Sequence, residues 1–198
     1  VFAAFGVLGA EIGGGVDPEL RVVVYQALAR PEKIEWVLQK GTEIGVAAFR
    51  LIGSERVEAP SPSPARLARY GRIVMEACKQ SGRRRLPTLA LSSIDSPPGD
   101  VVAIVLSPGT GVPSLGTLLA GPAAPEMWIA VGPEGGFSDG ELDELTARGW
   151  RAASLGPRVL RTETAGAVAA AIVLHTWGDL GPPSGHLLYC PTAPPPPC

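Results

Sequence analysis

Apolar and polar residues follow one another along the chain in the order expected for alternating strands and helices. Residues 21–29 form a run rich in β-branched side chains, which predicts a buried strand. Pro31 then suits the first turn of a helix, and apolar residues recur at helical spacing until Gly45 ends the segment. Residues 46–52 predict a second strand. This order favours a parallel sheet with a helical crossover.

A second helix is predicted from Pro64 to Gly82. Its apolar positions mark one face, which consists of Leu67, Tyr70, Val74 and Ala77. Its charged positions run along another face, which consists of Arg72, Glu76, Lys79 and Arg83. This spacing is typical of an amphipathic helix that packs on a core by one side.

The second half of the chain predicts three further strands. They are residues 101–106, 127–132 and 152–156, and each apolar run breaks into a loop that contains glycine or proline. Strands and helices therefore alternate along most of the chain. The predicted fold class is α/β, with a mainly parallel sheet flanked by helices.

Two helices are predicted between and after these strands. Ser138 and Glu141 form a capping-box pattern for the first, which ends at Gly149. The second runs from Glu163 to about Trp177, and Thr162 is its predicted cap. Because this last helix has almost no polar face, we expect it to be deeply buried.

Three loops follow strands and are therefore candidates for a ligand site. They span residues 107–111, 132–137 and 156–161, and ligands of parallel sheets bind outside the carboxyl ends of the strands. The glycines at 132, 135 and 136 would let main-chain groups approach a flat ligand closely. The spacing matches neither phosphate-binding fingerprint, and Glu134 argues against phosphate. An ordinary structural turn is the alternative.

Charged residues stand directly before the apolar last helix. Because that helix is expected to be buried, their position calls for a structural or functional explanation. Arg158, Arg161, Thr162 and Glu163 place two guanidinium groups, a hydroxyl and a carboxylate in one short segment. Thr162 and Glu163 could serve only the helix N-terminus, and the arginines could remain solvated. The alternative is a reactive site.

Overall charge indicates no nucleic-acid partner, because the net charge is −2 and the isoelectric point is about 5.7. Any RNA-binding surface must be local. One basic cluster is opposed within its span only by Glu76, and it consists of Arg66, Arg69, Arg72, Lys79, Arg83, Arg84 and Arg85. A solvated helix face is its usual explanation, but the concentration of arginine near residue 84 favours contact with phosphates.

Cysteine usage excludes two classes of protein. Cys78, Cys190 and Cys198 form no CxxC pair and have no histidine-rich neighbourhood, which argues against a zinc site and against a disulfide framework. A reducing cytoplasm is the simplest location. The apolar residues 1–15 are interrupted by Glu11 and predict neither a signal peptide nor a membrane anchor.

The chain divides into three parts by composition. Residues 1–20 are interpreted as the end of a preceding β-rich region or a linker, and residues 21–180 as one α/β domain. Residues 181–198 form a proline-rich tail with too little patterned apolar surface for a core of its own, and we expect this tail to be mobile.

Four motifs together resemble one known family. Residues 132–145 (GPEGGFSDGELDEL) and 154–165 (SLGPRVLRTETA) are similar to the paired signature of RsmE-type methyltransferases of the SPOUT superfamily. The earlier segments 39–45 (QKGTEIG) and 75–83 (MEACKQSGR) match in order and spacing. The resemblance covers about residues 21–180.

The resemblance implies a fold, a cofactor and a reaction. Such proteins are homodimers with a C-terminal trefoil knot, they bind S-adenosylmethionine (SAM) in that knot, and they methylate N3 of a uridine in 16S rRNA of the small ribosomal subunit. No metal is implied. The residues that would hold SAM are Ser107, Gly132, Pro133, Glu134, Gly135, Leu155, Gly156, Pro157, Val159, Leu160 and Thr162.

The chemistry requires a proton acceptor and a group that stabilises negative charge on the uracil oxygens. Arg161 and Arg83 are the candidates for the second role, and Glu163 is the candidate proton acceptor. The family normally carries a PUA-like RNA-binding domain ahead of the knotted domain, and we expect at most its last strand or two in residues 1–20. Two alternatives therefore stay open: a 2'-O-ribose RNA methyltransferase, and a fragment that binds nucleotide or RNA without turnover.

Overall fold

A computed structural model describes residues 17–109 and 111–181. Most of the predicted N-terminal remnant (1–20) and nearly all of the predicted proline-rich tail (181–198) lie outside the described residues. The chain in between forms a parallel sheet flanked by helices, so the predicted fold class is confirmed.

The six strands are all parallel to their neighbours and lie in the order β3-β2-β1-β5-β4-β6. Their bounds are β1 Arg21–Ala27, β2 Ala48–Ile52, β3 Thr88–Ser92, β4 Val101–Leu106, β5 Glu126–Val131 and β6 Arg151–Ala153. In register, Val24 of β1 lies opposite Phe49 of β2 and Ile129 of β5. Strand β5 thus fills the centre of the sheet between β1 and β4.

In the described part of the chain, four helices connect strands and a fifth follows β6. They are α1 Pro31–Ile44, α2 Pro64–Gln80, α3 Leu115–Leu118, α4 Asp139–Ala147 and α5 Thr162–Trp177. The starts of α1 and α4 are those predicted: Pro31 occupies the first turn of α1, and Ser138 and Glu141 form the complete capping box of α4. No helix within the described ranges has the length and apolarity needed to cross a membrane.

The two faces of the sheet carry different cores. Helices α1, α2 and α5 cover one face, where Val22 and Val24 of β1 are buried with Leu174 of α5. The other face packs the aromatic rings of Tyr25, Trp128 and Trp150 against one another, with ring centres 5.2 to 5.9 Å apart. Most of the helical mass therefore lies on one side.

Gly166 lets α5 approach the sheet closely. A Cβ atom there would lie 3.3 Å from Val131 Cγ2 and 3.6 Å from both Val24 Cγ1 and Gln26 Oε1. Glycine costs about 1 kcal/mol in a helix interior, so its presence here is explained by packing rather than by helix propensity. The first turn of α5 is consequently held against β1 and β5.

Three features differ from the sequence-based predictions. Strand β3 and the four-residue helix α3 were not predicted. Thr162 is not the cap of α5: the N-cap residue is Arg161, no side chain caps the helix, and the Thr162 hydroxyl bonds elsewhere. Helix α5 is buried on one face only, because Ala165, Val168 and Ile172 stay partly accessible. The prediction of deep burial therefore holds for one face of α5 but not for this accessible apolar strip.

Candidate functional site

A cavity of about 420 Å³ opens at the carboxyl ends of β4, β5 and β6. Its volume lies in the range of small-molecule sites. It is lined by the loops after these three strands, the start of α5 and one side chain of α1: Lys33, Leu106, Ser107, Pro108, Val131, Gly132, Pro133, Glu134, Gly136, Ala153, Ser154, Leu155, Gly156, Arg158, Val159, Leu160, Arg161, Thr162 and Ala165. The three loops predicted to converge do converge.

Glycine shapes the wall that follows β5. A Cβ on Gly132 would lie 3.1 Å from the Phe137 backbone nitrogen and 3.3 Å from the Gly136 carbonyl carbon, closer than most side chains approach backbone. Gly136 has a φ of +69°, in the left-handed region that favours glycine. The loop thus folds tightly back on itself and presents main-chain groups to the cavity.

Arg56, in the loop after β2, holds this turn from outside. Its Nη1 donates a hydrogen bond to the Gly135 carbonyl oxygen at 2.8 Å and a longer one to the Phe137 carbonyl oxygen at 3.4 Å. The two carbonyl oxygens therefore share one charged donor, and a charged donor strengthens such bonds.

A chain of hydrogen bonds connects the turn to β1 through α5. The Thr162 hydroxyl donates to the Gly132 carbonyl oxygen at 2.6 Å, and the Gln26 side-chain nitrogen donates to the Thr162 hydroxyl at 3.0 Å. Gln26 is fully buried and Thr162 is 6% exposed. The predicted ligand loops are thus tied together behind the cavity wall.

Charged groups gather at the mouth of the cavity. The Lys33 ammonium bonds to Glu134 and lies 3.5 Å from Glu163 Oε2, which accepts no hydrogen bond. The hydrogen bond from Lys33 lowers the pKa of Glu134, and the same bond raises the pKa of Lys33. Arg161 Nη1 is 4.0 Å from Glu163 Oε1, but its side chain is 81% exposed. A guanidinium at the mouth can therefore turn toward an incoming substrate.

Most of the residues predicted to bind a cofactor line the cavity. Nine do so: Ser107, Gly132, Pro133, Glu134, Leu155, Gly156, Val159, Leu160 and Thr162. Gly135 and Pro157 are in the same loops but not among the lining residues. Of the predicted catalytic residues, Arg161 lines the cavity, and Glu163 is held beside it through Lys33.

Arg83 lies far from this cavity, so its predicted catalytic role needs correction. Its guanidinium forms an ion pair with Asp17 at 3.0 Å and donates to the carbonyl oxygens of Thr42, in the last turn of α1, and Val46, just before β2, at the amino-terminal edge of the sheet. The side chain is 5% exposed. Arg83 is a structural residue here, unavailable to a uracil or a phosphate.

The other predicted RNA-binding residues stand along α2 and the turn after it. Arg69 is paired with Glu35 through two hydrogen bonds, and Lys79 with Glu76. The exposed members of the set are Arg66, Arg69, Arg72, Lys79, Arg84 and Arg85. Helix α2 has 17 residues and so extends about 25 Å, which spreads these charges from near the cavity edge to the opposite edge.

Several residues that build the site were not predicted from the sequence. Gln26 had a signal, since it is the one amide in the apolar run of β1. Lys33 also had one, because a cation in the first turn opposes the helix dipole and implies a partner. Arg56 and Asp17 had none, because their partners come from remote segments. Among the described residues, no three His, Cys, Asp or Glu side chains are grouped to hold a metal ion.

Comparison with known proteins gives one consistent result. A family model described as an RNA methyltransferase domain matches residues 17–174. A Synechocystis protein named ribosomal RNA small subunit methyltransferase E is 35% identical over 164 residues, which are 77% of this chain and 53% of that protein. The chain thus spans about half the length of this relative.

Solved structures agree. A Legionella pneumophila structure, described as a methyltransferase in complex with SAM, superposes with a TM-score of 0.78 at 30% identity, covering 85% of this chain and 72% of that one. A Neisseria gonorrhoeae ribosomal RNA small subunit methyltransferase E bound to SAM gives a TM-score of 0.73 at 33% identity, covering 82% and 68%. Both similarities extend over most of the described chain.

Proposed function

Since this chain belongs to the RNA methyltransferase domain family, we propose that it uses SAM to methylate N3 of a uridine in 16S rRNA of the small ribosomal subunit. The observation that carries the proposal is the cavity itself. Two glycine-containing loops, 132–137 and 154–161, face each other across a space of about 420 Å³. Solved relatives with the same fold hold SAM.

Main-chain groups of these loops would bind the adenine of SAM. The Gly132 turn presents backbone rather than side chains, and a flat heterocycle needs such close approach to be read by N–H and C=O groups. Leu155, Leu160 and Ala165 supply the apolar part of the lining. The methyl-bearing sulfonium would then lie toward the charged mouth.

The reaction is an in-line displacement. The bond between sulfur and the methyl carbon breaks as the bond to uracil N3 forms, and the N3 proton leaves to a base. Glu163 is the proposed acceptor, because one of its oxygens is buried without a hydrogen bond and Lys33 holds the carboxylate in place. Arg161, exposed at the mouth, would stabilise negative charge on the uracil oxygens.

A second subunit would complete this site. Val159 is 80% exposed on the cavity loop, and α5 keeps an accessible apolar strip, so surface near the mouth is suited to burial in a homodimer. The cytoplasm, where the ribosomal substrate is found, is the proposed location. The trefoil knot implied by the resemblance stays a prediction.

The test has two stages. Purified chain is titrated with SAM by calorimetry, and it is then incubated with SAM and small ribosomal subunits that lack the modification. Nucleoside mass spectrometry should find 3-methyluridine in the 16S rRNA. A 2'-O-methyl nucleoside would show that the acceptor atom is the ribose 2'-oxygen and not uracil N3. SAM binding without transfer would support the non-enzymatic alternative.

A further inference from the structure

Gln26 is a buried polar residue just behind the wall of the cavity. It is fully buried in β1, where the neighbouring side chains Val24 and Ala27 are apolar and equally inaccessible. Its amide nitrogen donates to the Thr162 hydroxyl at 3.0 Å and to the Ala27 carbonyl oxygen at 3.1 Å. Both partners accept, so the amide orientation is fixed by its surroundings.

The amide determines what the Thr162 hydroxyl does. A hydroxyl has one hydrogen to donate, and the Gln26 nitrogen occupies an acceptor position of this one. Its hydrogen is therefore directed at the Gly132 carbonyl oxygen, 2.6 Å away. Hydrogen bonds in such a chain polarise and strengthen one another in a buried setting. The relay runs from β1 through the first residue of α5 to the turn after β5.

This arrangement is costly for stability. The Gln26 side-chain oxygen is buried and has no hydrogen-bond partner. An unsatisfied buried acceptor costs about 1–3 kcal/mol, which an apolar side chain of similar length would avoid.

We infer that Gln26 is a positioning residue, which fixes the Gly132 turn relative to the start of α5 so that the two walls of the cavity keep the spacing required by the cofactor. The inference rests on the proposed function for the identity of that cofactor. It assigns Gln26 no contact with the ligand, because Gln26 is outside the lining of the cavity.

The first test separates stability from affinity. Gln26→Met keeps side-chain length and removes both donors and the unpaired oxygen. Its melting temperature should equal or exceed that of the parent chain, whereas its SAM affinity should fall about threefold to tenfold, the effect of losing one hydrogen-bond relay. Unchanged affinity in a folded variant would overturn the inference. So would a loss of affinity that merely parallels a loss of melting temperature.

Thr162 supplies the coupled half of the experiment. Thr162→Val should weaken SAM binding to a similar degree, and Thr162→Ser, which keeps the hydroxyl, should restore it. The Gln26→Met and Thr162→Val double variant should bind SAM about as well as either single variant, since both changes break one relay. Fully additive losses would contradict the relay. Thr42→Val is the matched control, because its buried hydroxyl bonds only within α1, to the Leu38 carbonyl oxygen.

A measurement without SAM tests the positioning role of Gln26 independently of the proposed function. Amide hydrogen exchange of residues 134–137 should be faster in Gln26→Met than in the parent chain, while exchange in α2 stays unchanged. If the parent chain binds no SAM, the proposed function fails and this exchange result still decides the role of Gln26. Equal exchange in the turn would overturn that role.

Discussion

The two edges of the parallel sheet use arginine in opposite ways. At the amino-terminal edge, Arg83 is 5% exposed and is bound to Asp17 and two carbonyl oxygens. At the carboxyl edge, the Arg161 side chain is 81% exposed beside a cavity and lies 4.0 Å from Glu163. The first guanidinium stabilises the chain, whereas the second is available for a substrate. Residue type alone therefore does not reveal which arginine is accessible to a ligand; burial and partners do.

We call the amino-terminal edge, where Arg83 is buried, the closed edge, and the carboxyl edge, where the cavity lies, the open edge. The largest expected effect is at the closed edge. Asp17→Asn should lower the free energy of unfolding by about 3 kcal/mol at neutral pH, because it leaves the Arg83 cation buried without a counter-charge. Glu76→Gln, which removes an exposed ion pair with Lys79, should cost less than about 1 kcal/mol. Denaturant titration of both variants would measure this difference. Equal, small losses would contradict the structural role of the buried pair.

The effect of Asp17→Asn should also depend on pH. Burial alone would raise the pKa of Asp17, but hydrogen bonds from Arg83 and from the backbone N–H groups of Arg84 and Arg85 outweigh it and lower the pKa below 3.8. A carboxylate with a lowered folded-state pKa stabilises the fold above its unfolded-state pKa, and this contribution is lost as pH falls through the folded-state pKa. The stabilities of parent and variant should therefore begin to converge as the pH falls below about 4, and should meet only below the lowered folded-state pKa of Asp17.

The next effect belongs to the open edge. Arg161→Ala should lower methyl-transfer turnover about 100-fold, since it removes a donor that acts on charge developing in the transition state. SAM affinity should stay within about twofold, because the side chain lies at the mouth. Single-turnover kinetics with small ribosomal subunits would measure both. Arg151→Ala, an exposed arginine on β6, serves as the control. Full activity of Arg161→Ala would end its catalytic assignment.

A smaller effect tests how tightly the open edge is shaped. Gly132→Ala should weaken SAM binding about tenfold, because the added Cβ would press on the Phe137 nitrogen and displace the turn. Gly121→Ala, where an added Cβ meets nothing within 4 Å, should bind SAM like the parent chain. Calorimetry on both variants separates the effect of close packing at Gly132 from the general effect of replacing a glycine. Equal affinities would mean that the turn tolerates a side chain.

The smallest effect concerns the charges that run between the two edges. Arg72→Ala should weaken RNA binding slightly for any sequence and reduce the slope of affinity against salt by about one counterion. Arg69→Ala should change the slope less, because Glu35 already neutralises this guanidinium. Filter binding at several salt concentrations would compare them. Identical slopes for the parent chain and Arg72→Ala would remove α2 from the RNA surface.

The sequence could predict the open edge better than the closed one. Loops after parallel strands meet at one edge by topology, so the convergence of residues 132–137 and 156–161 followed from the order of strands and helices. The contacts of Arg83 did not, because Asp17 is 66 residues away in the chain and no local pattern links them. Strand β3 escaped prediction since it is short and no side chain in it is fully buried.

Within the site, prediction was limited by contacts between remote segments. A capping hydroxyl accepts from a backbone N–H of its own helix, whereas the Thr162 hydroxyl accepts from the Gln26 side-chain nitrogen and donates to the Gly132 carbonyl oxygen. These partners lie 136 and 30 residues earlier in the chain. Local propensity thus predicted the right residue with the wrong partner, and only the packing of α5 on the sheet decided between the two.

The central place of β5 has a consequence for how the protein acquires its binding capacity. Without residues 126–131, the paired strands would fall into two groups, β3-β2-β1 and β4-β6, with no hydrogen bonds between them. Insertion of β5 requires contacts between segments that are distant in sequence, which slows folding. Ligand affinity should therefore emerge only when the last long-range pairing is made, so cofactor capture would report completed folding more faithfully than helix content does.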